Sequence, residues 1–487
     1  MIYVLKPGQF HSVAFLTKPF VLFIFIPMGL GDRPDSYGTN GATPPVLPVT
    51  AVNISIIFEW AALLPLAIYL ARSRLPHQLV GQAALAGFLG VGLFPRLGVL
   101  GTIADFLQQD QEFLDRASSV SEMRRMVWDA NWGSVFPCAN GAAAMMLNTH
   151  ILRNVKIQLA PEQIPKSSSK TPPHSSNLRH DSNSSGSTTP ANKKPAPNFR
   201  RYQTLHILHF SDSLPKTGPL KQRITSCYSW VLFFEVLGLM VLLGASIICI
   251  LYGLYGTAAA VFLTLLFRVS RQLITIERPV GYLHNNEGEL TGCMLMALHE
   301  NASTWYLYVG SRGTIDTVLN KTMIQSIKSP LNGWLAHGLR VLEVLQLIIM
   351  SYAAAQKGWD GIALLCLILV AWIFDRVVYN DQRIAGLWLQ REGITVKTQS
   401  LKFGGRTPMI GLIYALSNKQ VTCWMDGILC PSTRRTVWLQ KLASQNVAPE
   451  LEQKLSQRDK EWVNLNERLT LAALDATKDI GNGTNAV

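Results

Sequence analysis

YSWVLFFEVLGLMVLLGASIICILYGLYGTAAAVFLTLLF, residues 228–267, is a run of 40 residues with a single charge, Glu235. At 1.5 Å per residue a helix of that length measures about 60 Å, or two crossings of a ~30 Å hydrocarbon core. Tyr252-Gly253-Leu254-Tyr255-Gly256 supplies the turn. The chain then returns to the side it left, where Arg268 and Arg271 follow directly. Residues 227–267 therefore read as a transmembrane hairpin, with the basic flanks on the cytosolic side.

On the C-terminal side, 268–333 is polar enough to be a cytosolic insert, with a strand at Thr304–Val309 and a turn at Gly310–Gly313 leading into a helix. A second hairpin, 334–379, joins Trp334–Ala355 to Gly361–Val378, and Asp375 and Arg376 read as interfacial charges. A folded, basic cytosolic element covers 380–445, and 446–487 reads as a frayed tail. Gly404-Gly405-Arg406-Thr407-Pro408 matches neither phosphate-binding glycine pattern and reads as a turn.

On the N-terminal side, 153–226 is rich in Ser, Pro, Asn and basic residues. Within 153–223, 12 Lys and Arg stand against 3 acids. It is expected to be a disordered cytosolic linker, because it has too little apolar surface to offset the entropy of ordering. Residues 1–152 hold four apolar blocks: Phe10–Leu30, Val52–Leu70, Leu79–Ile103 and Trp132–Leu152. The first could be a cleaved signal, but no small-residue cleavage pattern follows it and a retained span is preferred. The expected fold is thus all-α: a polytopic bundle of about eight spans with a small cytosolic α+β element. Both termini are cytosolic, and the expected location is the endoplasmic reticulum or another endomembrane.

Net charge is +13 over 487 residues, 48% of them hydrophobic and 15% charged. The Lys and Arg residues lie mainly in loops between apolar blocks rather than in a stripe interleaved with aromatics, so nucleic acid is not the expected partner. None of the seven cysteines forms a CxxC pair, and no histidines stand at zinc-finger spacing. Asp105, Asp110, Glu112 and Asp115 are spaced around a helix rather than converging on magnesium, and read as a solvated acidic segment. No metal and no cofactor are expected. The expected partner is a membrane lipid or hydrophobic small molecule.

Charges inside apolar runs are costly, at least ~2.5 kcal/mol each at a span's centre, and so mark candidate sites. Glu59 and Arg96 fall at similar depth in neighbouring spans and could pair, either structurally or at a site. Glu235 and Glu343 enter from the cytosolic side, and Arg340 shares a face with Glu343. One reading is a buried ion pair plus a hydrogen-bonded glutamate. The other is a carboxylic acid kept neutral by an apolar pocket and able to give up a proton. Trp230, Phe234 and Trp372 are candidate aromatic walls beside Arg96 and Arg340, though aromatics at helical spacing also serve as plain packing. His337 opens an apolar helix and could be a base or a packing histidine.

The phrases ALHENASTWYLY (297–308), AQKGWD (355–360), GRTPMIG (405–411) and WMDG (424–427) resemble an uncharacterised family of fungal multi-pass membrane proteins over 228–442. In size and span count the chain is also similar to the membrane-integral terpene cyclases of meroterpenoid pathways, of the macrophorin and ascochlorin type. That resemblance implies an enzyme acting on a prenylated, lipid-like substrate in the bilayer by protonation-initiated cyclisation, and carries over no residue; from the buried charges, Glu343 or Glu235 would be the acid, with Glu59 as a further candidate. The alternatives are a non-enzymatic membrane scaffold or transporter, and a membrane-bound O-acyltransferase using His337.

Overall fold

The structure is a computed structural model that describes residues 55–71, 76–89, 94–96, 98–119, 124–160, 202–212, 220–274, 276–284, 291–326, 330–355, 359–378, 380–445 and 447–481. The expected span Phe10–Leu30 and residues 161–201 of the expected linker lie outside them.

A seven-stranded mixed sheet replaces the all-α architecture expected from the sequence. Its strands are β1 (Met126–Asp129), β2 (Val135–Pro137), β3 (Gln158–Leu159), β4 (Gln203–Asp212), β6 (Thr291–Ala297), β7 (Thr304–Ser311) and β9 (Ile394–Phe403), in the order β2-β1-β6-β7-β4-β9-β3. The short strands β5 (Ile276–Glu277) and β8 (Gln325–Ser326) pair separately. β4 runs parallel to β7 and antiparallel to β9, with His206 opposite both Tyr306 and Ser400. The sheet joins segments that the sequence reading divides among four regions, and β4 falls inside the stretch read as disordered linker.

The helices are α1 (Ser55–Ala71), α2 (Pro76–Ala86), α3 (Val99–Gln109), α4 (Gln111–Ser119), α5 (Gly141–Ile151), α6 (Leu220–Leu251), α7 (Tyr255–Gln272), α8 (Arg312–Leu319), α9 (Pro330–Ala355), α10 (Trp359–Val378), α11 (Asp381–Glu392), α12 (Arg406–Leu416), α13 (Thr433–Leu442), α14 (Pro449–Gln453) and α15 (Gln457–Gly481). They sort by what they bury. On one sheet face Leu208, Phe210, Met296 and Tyr308 pack with Leu85 of α2, Ile103 of α3, Leu147 of α5 and Trp388 of α11. On the other, Leu205, Leu307 and Leu401 pack with Met409 of α12, Trp438 of α13 and Val463 of α15. The tail read as frayed therefore carries a packed helix, and the turn read at 404–408 opens α12, with Pro408 tolerated in its first turn.

A third core contains no strand residue. Tyr69 of α1, Leu242 of α6, Val261 of α7, Met350 of α9 and Ala371 of α10 form it together with Phe94. α7 and α9 reach from this bundle into the first core through Phe267 and Leu339.

Among the described residues two helices, α9 and α10, are long and apolar enough to cross a membrane, against the eight spans expected. The apolar parts of α1 and α6, Glu59–Leu70 and Val236–Leu251, are shorter. The expected span Leu79–Ile103 is broken into α2 and α3. Gly87 and Gly98, both at φ 79°, redirect the chain on either side of Pro95, in a backbone region that a β-carbon disfavours. The expected span Trp132–Leu152 is the second arm of the β1–β2 hairpin followed by α5; Cys138, Ala144, Leu147 and Ile151 pack into the first core, while Trp132 and Val135 are exposed. The strand expected at Thr304–Val309 is present as β7.

Candidate functional site

α1, α10 and the Phe94-Pro95-Arg96 segment enclose a cleft lined by Ile68, Tyr69, Phe94, Arg96, Trp372 and Asp375, with a volume of about 40 Å³. The segment is anchored from α9, where Gln346 Nε2 donates to Pro95 O at 2.7 Å. That bond satisfies a carbonyl outside any helix, as irregular backbone in an apolar setting requires. Arg96 Nη2 lies 3.2 Å from Asp375 Oδ2, with both side chains at least partly buried. The Tyr69 hydroxyl is buried and has no hydrogen-bond partner among the described residues. The walls are otherwise apolar, and Trp372 is partly exposed on the outer face of α10.

The cleft brings together two of the sequence-derived candidates, Arg96 and Trp372. Arg96 is paired with Asp375, which the sequence reading set aside as interfacial, and not with Glu59 as expected. Glu59 is half-buried on α1 and makes its own interaction. Glu343 and Arg340 do share a face of α9, but that face lies against α3. Glu343 Oε1 accepts from Gly98 N at 2.9 Å, where the helix dipole of α3 favours a negative charge. Arg340 Nη2 donates to Asp105 Oδ1 and Gln108 Oε1, each at 2.9 Å, on the protein surface. His337 is exposed on α9. Glu235, Trp230 and Phe234 belong to α6, and their side chains lie outside the described residues.

Of the acidic segment, Asp105 is engaged with Arg340, and Asp110 Oδ1 accepts from Ser326 N at 2.9 Å. Among the described residues no group of three or more His, Cys, Asp or Glu is placed to hold a metal ion.

Sequence reasoning missed Tyr69 because a tyrosine in an apolar run carries no charge to flag it. It also missed a polar cluster on the sheet. His206 Nδ1 lies 2.7 Å from Ser400 Oγ, and its ring stacks on Tyr306 with centroids 5.3 Å apart. Burial holds the His206 imidazole below the ordinary histidine range and raises the Tyr306 phenol, which the nearby Arg125 charge draws partly back. The period-two pattern of TLHILHF (204–210) was the available signal.

Compared with described protein families, curated proteins and solved structures, the chain matches none.

Proposed function

We propose that the protein is an integral membrane protein that holds the polar head of a lipid-like amphiphile in the cleft between α1 and α10, with the apolar tail left in the bilayer. The observation that supports this most is the outward face of the helical bundle. Trp334 (81% exposed) and Met240 (64% exposed) are exposed together with Val341, Val344 and Ile348 of α9, Leu243, Ile247 and Leu251 of α6, and Phe262 of α7. An apolar surface of that extent marks a contact with lipid or partner far more often than with water. α9, at 26 residues, spans about 39 Å, enough for a bilayer core.

The cleft favours a neutral polar head, such as a hydroxyl or phenol. The Arg96–Asp375 pair balances its own charge, and the Tyr69 hydroxyl offers a donor and an acceptor. A volume of about 40 Å³ accommodates a head group of a few atoms and no chain. This supports binding of a prenol-like or prenylated phenol ligand. The acid-started cyclisation suggested by resemblance would need a carboxyl free to give up a proton, whereas Glu343 already accepts a bond from Gly98. Localisation in the endoplasmic reticulum with cytosolic termini remains part of the proposal.

The test is photolabelling of the protein in liposomes with a diazirine-bearing prenylated phenol. Labelling is expected at 368–372 or 94–96, and is expected to fall several-fold in Arg96→Gln and Trp372→Ala. Uniform labelling along the apolar surface, or equal labelling of variants and parent, would overturn the proposal.

A further inference from the structure

On the sheet face that carries the first core, β4 sets His206 between Tyr306 of β7 and Ser400 of β9 in register. β7 is the central strand, β4 lies beside it and β9 separates β4 from the edge strand β3, yet the face is covered only in part. Toward Tyr308, Phe210 and Val396 it is buried under helices, whereas His206, Tyr306, Thr204, Thr304 and Lys402 are only half-buried. This open strip lies away from the apolar bundle. β4 ends at Asp212, seven residues before α6 begins, and His206 is about 20 Å back along the strand.

Its chemistry is specific. The His206 and Tyr306 rings stack with their planes 25° apart. The Ser400 hydroxyl holds Nδ1, which leaves Nε2 as the ring's second polar atom. A cation borders this strip: Lys402, opposite Thr204 in the register, whose Nζ stands 4.5 Å over the Tyr202 ring. Aromatic faces on a sheet beside a cation suit a neutral planar ring that carries an anionic substituent.

We propose that this strip binds a free mononucleotide, with the base stacked on the Tyr306–His206 pair and the phosphate drawn by Lys402. The site is distinct from the amphiphile cleft and does not depend on it. The basic residues of 161–201, which connect β3 to β4, make that segment a poor occupant of a strip bordered by like charge.

The probe is 8-azido-AMP, crosslinked to the full-length protein in nanodiscs and mapped by peptide mass. Label is expected within 202–212 or 304–311, and is expected to be displaced by AMP but not by ribose 5-phosphate or inorganic phosphate. Tyr306→Leu should lower labelling about ten-fold, the scale of one lost base–aromatic stack. Tyr306→Phe, which keeps the ring and the core volume, should lower it less than about two-fold. Lys402→Gln should weaken displacement by AMP and reduce its dependence on salt. Label elsewhere, equal displacement by ribose 5-phosphate, equal effects of Leu and Phe at 306, or preference for a single-stranded oligonucleotide would each overturn the proposal.

Discussion

Asp360, at the start of α10, caps the helix that begins beside Thr257. Its Oδ1 accepts the Thr257 backbone N–H at 2.8 Å and lies 2.6 Å from the Thr257 hydroxyl, while Oδ2 accepts Gly256 N–H at 2.8 Å. The carboxylate of one hairpin thus satisfies the free N–H groups at the first turn of the other. A β-carbon at Gly256 would meet Asp360 Oδ2 and crowd Ala353, so glycine is needed there for close approach. Asp360→Ala leaves two buried donors unpaired and is expected to cost about 3 kcal/mol, with Asp360→Asn costing less. Unfolding midpoints in bilayer mimetics check this, and an unchanged midpoint for Asp360→Ala would remove the cap from the account.

Glu343 is expected to act through shape and hydrogen bonding rather than through its proton. Glu343→Gln retains an acceptor for Gly98 N and should stay within about 1 kcal/mol of the parent, whereas Glu343→Ala should lose a further ~1 kcal/mol. Gln at 343 should also leave amphiphile labelling unchanged. A Gln variant that keeps its stability but loses labelling or turnover would restore the proton to the mechanism.

Stability is expected to fall as pH drops below the ordinary histidine range. Burial lowers His150, His206 and His209 in the folded state, helped at His150 by Arg153 and at His209 by Lys397. Above about pH 6.5 both folded and unfolded forms are neutral. Below it the unfolded chain takes up protons that the folded chain refuses, so the stabilising contribution is lost as pH falls toward the folded values. Melting curves from about pH 7 to about pH 5.5 should show this decline, and His209→Gln should flatten it. An unchanged slope in that variant would mean His209 contributes nothing.

Cysteine labelling should separate three environments. Cys138 and Cys293 are buried, with thiols pushed up to about 12, and should resist maleimide until the chain unfolds. Cys423 and Cys430 are exposed and should react with a water-soluble reagent. Cys366 is exposed on apolar α10, so in liposomes it should react only with a membrane-permeant reagent. Its rapid labelling by a charged maleimide would place α10 in water.

The helices α9 and α10 were legible because long apolar runs have few other uses, and β7 because its aromatic and β-branched residues cluster between turns. The sheet as a whole was not. Strands buried on both faces, such as Gly292–Ala297, read as short apolar runs without a period, and Trp132–Leu152 combines a hairpin and a helix in a length that suits a span. β4 was hidden by the polar composition of its surroundings. At the cleft, Arg96 and Trp372 could be found because one is a charge and the other a large aromatic in apolar sequence. Their partner Asp375 lies 279 positions from Arg96 and is set by packing alone.

The order of strands across the sheet has a consequence for biosynthesis. β1 must wait for β6, which emerges after the whole α6–α7 hairpin, and β4 must wait for β9, which emerges after the α9–α10 hairpin as well. No contiguous fragment contains the finished sheet without both hairpins. The ribosome therefore delivers both apolar hairpins before the sheet can close, and until the later strands arrive the earlier ones keep open edges.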